Sequence, residues 1–181
     1  FIYFEQLLLR GNRSKKVESV HFDAFESENY PALAEAGIVI DYNRKVVHEP
    51  ADEPFKFRDS FDNRVAILKL FPGITQSLVH SILANKEIKG VILETFGSGN
   101  SITDKWFIDE LRNAIDRGVV VVNVSQCPGG KVMQGRYETS QQLKEVGGLS
   151  GDDITTEAAV IKLMFLLANC QSVMNLNEKF V

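Results

Sequence analysis

Three short apolar runs, each followed by a helical or turn-rich stretch, constrain this chain more than anything else in it. Val65 to Phe71 leaves through the turn Pro72-Gly73, Gly90 to Thr95 carries Val91-Ile92-Leu93, and Val119 to Val124 is a β-branched run. Branching at Cβ suits a pleated strand. An apolar run of that kind predicts a strand covered on both faces. Thr75 to Ala84 places Leu78, Val79, Ile82 and Leu83 on one helical stripe, and the stretch from Thr103 to Arg117 does the same with Phe107, Ile108, Leu111 and Ile115. Thr103 is expected to cap that second helix and Gly118 to stop it. Further helices are predicted over Glu138 to Val146 and over Thr155 to Asn169, with Thr155 as N-cap. Strands and helices in strict alternation mean a parallel α/β sheet with right-handed crossovers. The expected architecture is α/β, a small Rossmann-like parallel-sheet C-terminal domain preceded by what reads as the tail of another domain.

That tail is assigned to residues 1–43. Phe1 to Leu9 reads as a single buried strand. His21 to Phe25 reads as a short helix or turn. Pro31 opens a predicted helix through Leu33, Ala34 and Ala36 that Gly37 ends, and Ile38 to Tyr42 alternates like a strand. Residues 44–64 hold Pro50, Pro54 and many charges with no sustained period, so they form the expected linker. The C-terminal domain is then 65–181. The chain begins without Met, and residue 1 already looks like strand interior. It is expected to be part of a longer polypeptide.

Bulk properties narrow the function. The 181 residues are 44% hydrophobic and 24% charged, ordinary for a globular chain with a sizeable core. A net charge of −4 argues against nucleic acid or an anionic membrane as the main partner. No apolar stretch reaches the roughly 20 residues that span a bilayer. The two cysteines, Cys127 and Cys170, lie far apart with no zinc-like spacing, which fits a reducing compartment and no metal site. Cys127, just after a strand, is expected to be a buried thiol rather than a nucleophile.

Several motifs fail on inspection. Gly97-x-Gly99 lacks the third glycine of a dinucleotide fingerprint. Gly129-Gly130-Lys131-Val132 lacks the hydroxyl residue of a P-loop and its first glycine. No GxSxG elbow occurs. His21, His48 and His80 are scattered and read as surface or hydrogen-bonded side chains. What remains is Arg10-Gly11-Asn12-Arg13-Ser14-Lys15-Lys16, four cations around a Gly-Asn turn behind an apolar strand. Taken alone it is a basic surface turn. A lysine held at such a place can also lose hydration, pair with a carboxylate and relay a proton.

This segment resembles the type I (cytoplasmic) bacterial L-asparaginases. So do, in order, His21-Phe22-Asp23-Ala24-Phe25, Asn29 to Ile38, Phe71-Pro72-Gly73-Ile74, Gly97-Ser98-Gly99-Asn100, Asn123-Val124-Ser125-Gln126-Cys127 to Tyr137, and Gly151 to Ala158. Each block is weak alone. Their collinear order over almost the whole chain is specific.

The resemblance implies that residues 1–43 are the tail of a larger α/β N-terminal catalytic domain, and that the function is hydrolysis of L-asparagine to L-aspartate and ammonia through an acyl-enzyme on a threonine. The threonine is activated by a Thr-Lys-Asp relay, and no metal or organic cofactor takes part. Lys16 matches the relay lysine. Asn100 matches an asparagine that reaches a neighbouring protomer's active site, and Tyr137 lies in a region that presents a side chain there. A homodimer or homotetramer in the cytoplasm is implied. Cys127, Lys15 and Glu94 are the candidates for an effector pocket. Glu94 stands where the family typically has an arginine to grip the effector carboxylate, and it would repel that group. The Thr-Gly-Gly-Thr and His-Gly-Thr-Asp motifs that carry the nucleophiles are not in these 181 residues, so the isolated chain is expected to be inactive. The alternative is a non-catalytic doubly wound ligand-binding or regulatory domain that uses the crevice at Gly97 to Asn100.

Overall fold

The computed structural model describes residues 1–49, 52–135, 138–170 and 172–180, without the side chains of Glu138, Thr139, Val173 and Met174. The chain folds as two units, Phe1–Asp59 and Ser60–Val181.

In the first unit Phe1 to Leu9 is a hairpin rather than one strand. β1 (Ile2–Phe4) pairs antiparallel with β2 (Leu7–Leu9) in the register Ile2↔Leu9 and Phe4↔Leu7. Only Glu5 and Gln6 remain for the loop, and Glu5 takes φ 53°. A positive φ at the first loop residue suits a two-residue turn whose twist matches its strands. A 3₁₀ turn at Gly11–Arg13 follows, then β3 (Lys15–Lys16), which pairs with β4 (Phe25–Glu26). The segment expected as a helix after Pro31 is instead β5 (Ala34–Ala36), continued by β6 (Ile40–Tyr42). The sheet order is β1-β2-β5-β6. The N–H groups of Leu33 and Ala36 donate to the carbonyls of Leu8 (2.8 Å) and Gln6 (2.7 Å). Between Pro31 and Gly37 there is little more than one helical turn, too short to recover the cost of nucleation. The ladder with β2 therefore overrides the helix propensity of alanine.

The second unit realises the predicted alternation. β7 (Val65–Lys69), α1 (Gln76–Leu83), β8 (Gly90–Thr95), α2 (Lys105–Asp116) and β9 (Val120–Ser125) lead to α3 (Glu138–Glu145), β10 (Leu149–Ser150), α4 (Thr156–Asn169) and α5 (Val173–Phe180). All pairings are parallel, in the order β10-β9-β8-β7. Strand side chains alternate between faces, so each strand feeds two cores. Leu68, Val91, Leu93 and Val121 pack with Val79, Leu83, Phe107, Leu111 and Leu143 of α1 to α3. Ile92, Val120, Val122 and Val124 pack with Ala159, Leu163 and Leu166 of α4 and with Leu176 and Phe180 of α5. The valine run is thus covered on both faces, as expected. The cap of α2 differs from expectation: Asp104, not Thr103, takes the N-cap position, and its carboxylate accepts from Trp106 Nε1 at 3.2 Å. β10 and α5 were not anticipated. One has two residues and the other only eight.

Candidate functional site

In the first unit the basic turn is built around Tyr30. The guanidinium groups of Arg10 and Arg13 lie 5.1 and 5.5 Å from its ring centroid, at cation–π distance. The phenol donates to Val46 O at 2.8 Å, and Ser14 Oγ donates to Arg10 O at 2.8 Å. The arginines are thereby committed to structure. The lysines are placed differently. Lys15 and Lys16 are successive residues of β3, so their side chains leave on opposite faces. Lys15 is in register with Glu26 and Lys16 with Phe25, and both lysines are exposed within this unit. The Glu26 carboxyl is held above its ordinary value, first by a hydrogen bond shared with Glu28, then by burial and by the charges of Glu28 and Asp23. Lys15 thus sits across from an acidic residue and Lys16 across from an aromatic one.

In the second unit the candidate residues collect at the carboxyl ends of parallel strands, where open α/β sheets place their chemistry. Beyond β8 the chain makes the tight loop Gly97 to Asn100. It closes by paired backbone bonds between Phe96 and Asn100 (3.0 and 2.9 Å). Two polar side chains of β9 hold this loop. Asn123 Nδ2 donates to Gly99 O at 3.2 Å, and Asn123 Oδ1 accepts from Thr95 Oγ1 at 2.6 Å. Ser125 Oγ donates to Gly97 O at 2.6 Å and accepts from Cys127 N–H at 3.0 Å. The N–H of Met133 donates to Ser98 O at 3.0 Å, so the loop after β9 grips the same turn. Gly99 has φ +101°, and a Cβ on it would lie 2.9 Å from Val132 Cγ1. Only glycine fits that position. None of Thr95, Asn123 or Ser125 was singled out from the sequence as supporting this loop. A lone asparagine inside the valine run was the signal available for Asn123.

The effector-pocket candidates fall on both units. Lys15 belongs to the first. Glu94 and Cys127 lie at the carboxyl ends of β8 and β9. Glu94 Oε1 accepts from Thr156 Oγ1 at 2.6 Å, in the first turn of α4. Its other oxygen is 3.5 Å from Lys69 Nζ on the neighbouring strand. The carboxylate is therefore already engaged on two sides. Cys127 is exposed, which corrects the expectation of a buried thiol. It has left the sheet for a turn closed by Gly130 N–H to Cys127 O at 2.8 Å, and no layer covers it there. Tyr137 lies outside the described residues. His80, read as a surface or hydrogen-bonded histidine, has Nδ1 3.0 Å from both oxygens of Glu110. Among the described residues no helix is long and apolar enough to cross a membrane.

The strand-rich unit with its basic turn and the three-layer parallel α/β unit that follows it in sequence match one family in both parts. The Glutaminase/Asparaginase C-terminal domain matches residues 64–180, and the N-terminal asparaginase domain matches residues 1–48. The chain belongs to the asparaginase family. It is 37% identical to L-asparaginase 1 of Escherichia coli (strain K12), over 92% of this chain and 49% of that protein. It is 39% identical to the 60 kDa lysophospholipase of Homo sapiens, over 92% of this chain and 29% of that protein. The crystal structure of L-asparaginase I from Vibrio cholerae superposes with a TM-score of 0.92 at 37% identity, covering 98% of this chain and 54% of that one. The chain thus spans about half the length of the bacterial asparaginases it matches, and these support its type I character. A match through both units does not favour a stand-alone regulatory domain.

Proposed function

We propose that the protein carrying this chain hydrolyses L-asparagine to L-aspartate and ammonia through a threonine nucleophile, in the cytoplasm, with no metal or organic cofactor. The observation that carries this reading is Lys16, which follows the basic turn within the stretch matched by the N-terminal asparaginase domain. A threonine hydroxyl is a weak nucleophile at neutral pH and has to lose its proton as it attacks the side-chain amide. Lys16 takes up that proton as part of a Thr-Lys-Asp relay. The threonine is not supplied by these 181 residues, which contain neither Thr-Gly-Gly-Thr nor His-Gly-Thr-Asp. In this reading residues 1–43 end the catalytic domain, residues 44–64 link, and residues 65–181 form the C-terminal domain. The protein works as a homodimer or homotetramer in which Asn100 and Tyr137 face the substrate of a neighbouring protomer. A carboxamide suits that place, because it can donate to the substrate carboxylate and accept from its ammonium.

Glu94 bears on regulation. Cys127, Lys15 and Glu94 remain the candidates for an effector pocket, but the Glu94 carboxylate repels an amino-acid carboxylate and is already held by Thr156 and Lys69. Activation by asparagine through an arginine grip is therefore not expected.

Comparison of the two adjacent lysines tests the catalytic reading. In the protein carrying this chain, Lys16→Met lowers kcat by about 10²–10⁴, the usual contribution of a positioned proton-transfer group, and Lys15→Met costs far less. Equal effects of the two substitutions would reduce Lys16 to a surface cation.

A further inference from the structure

We infer that Asn123 and Ser125 of β9 are positioning residues for Asn100, acting on it through the carbonyl groups of Gly99 and Gly97; this rests on the proposed role of Asn100 in substrate binding.

The starting point is a polar residue where the sheet has no use for one. Asn123 is fully buried and flanked along β9 by buried valines. An unpaired carboxamide there would cost more than a hydrogen bond is worth. It is instead used at both ends: Thr95 Oγ1 donates to Oδ1 at 2.6 Å, and Nδ2 donates to Gly99 O at 3.2 Å. Ser125 lies two residues on, hence on the same face of the strand. Its hydroxyl donates to Gly97 O at 2.6 Å. Alternate side chains of one strand thus hold alternate carbonyls of the loop that follows its neighbour.

The arrangement leaves the loop no slack. Gly97 and Gly99 both have positive φ, 51° and 101°, and the carbonyl of each accepts from a side chain of β9. The backbone of Asn123 is occupied too, since its carbonyl accepts from Gly151 N–H at 2.8 Å. Gly130 packs so closely that a Cβ on it would lie 2.0 Å from Ser125 Oγ. One strand end therefore couples the loops that follow β8, β9 and β10. A buried carboxamide is a costly device for mere stability, because valine at position 123 would fill the core without it. Its effect is to fix one orientation of the Gly97–Asn100 loop, and with it the direction in which Asn100 projects.

The test is a double-mutant cycle in the whole protein, read as KM and kcat for asparagine with thermal stability and oligomeric state monitored. Asn123→Val and Ser125→Ala are each combined with Asn100→Ala. If the pair acts through Asn100, each single variant raises KM several-fold, on the order of one hydrogen bond, with kcat little changed. In the Asn100→Ala background the same substitutions then add less than about two-fold. Ser125 is only partly buried, so Ser125→Ala keeps the test open if Asn123→Val does not fold. Undiminished effects in the Asn100→Ala background would overturn the inference. So would folded variants with unchanged KM while Asn100→Ala raises it; the role of Asn100 would then stand and the positioning claim alone would fall. If Asn100→Ala itself changes nothing, the substrate role of Asn100 and the inference fall together.

Discussion

At the scale of single residues, charge placement is decided by partners that sequence proximity only sometimes reveals. Asp62 and Arg64 lie just before β7 and form a two-point ion pair, Nη2 to Oδ2 at 2.6 Å and Nε to Oδ1 at 2.9 Å. The Arg64 guanidinium lowers the Asp62 carboxyl to about 2, chiefly by this hydrogen bonding. The folded value lies below the ordinary one of about 3.9. The stabilisation is therefore present above about pH 4 and is lost as the pH falls through about 2. Arg64 is half exposed, so the contribution is modest, ~0.5–1 kcal/mol. Asp62→Asn should lower the urea midpoint at pH 7, and the gap to the parent should narrow as the pH falls from about 5 toward 2. A gap independent of pH would assign the loss to something other than the Asp62 charge. Arg10 and Arg13 show the other case. Their commitment to Tyr30 joins positions far apart in sequence, so only folding separates these arginines from Lys15 and Lys16.

At the scale of elements, local signals succeeded where an element has its own period and failed where a neighbour decides. α4 is announced by Thr155, whose hydroxyl accepts from Ala158 N–H at 3.2 Å, with Glu157 in the first turn to complement the helix dipole. Thr155→Ala should cost about 1 kcal/mol of stability, with Thr155→Ser close to neutral, as read from thermal or urea unfolding. An alanine variant as stable as the parent would mean that packing alone sets the start of α4. Thr103 looked equally good as a cap, yet the helix starts one residue later at Asp104. Helix ends shift readily by a residue. The strand at Ala34–Ala36 escapes a local reading for a different reason: its alanines carry helix propensity, but its β2 partner, including the Leu8 carbonyl that holds Leu33, is remote in sequence.

At the scale of the whole molecule, the strand order β10-β9-β8-β7 places the ends of three long parallel strands side by side, with helices on both faces. Asn100 stands at this edge, and the 181 residues contain no nucleophile motif for it to serve. The proposed solution is a neighbouring protomer. The prediction belongs to the assembled oligomer: Lys16→Met protomers are inactive or nearly so, and Asn100→Ala protomers work poorly at asparagine concentrations below the parent KM. Mixing them under conditions of subunit exchange should restore one intact site per hybrid pair. Ammonia release above that of either parent is the expected result. Mixtures that demonstrably exchange yet stay at the parental level would make Asn100 a turn residue.

The alternation of strand and helix from Val65 onward, the two-sided burial of the valine run, the Thr155 cap and the family itself were legible in the sequence. Each rests on periodicity, on side-chain shape at one position, or on ordered motifs that survive without knowledge of contacts. The tertiary structure decided the rest: the hairpin at Glu5, the β5 strand, the exposure of Cys127, the engagement of Glu94 by Thr156 and Lys69, and the grip of Asn123 and Ser125 on the glycine loop. The hairpin is local, but the others depend on hydrogen bonds or coverage that residues distant in sequence supply or withhold. A buried amide or a left-handed glycine has meaning only once its partner is in place, and no local period encodes which partner that is.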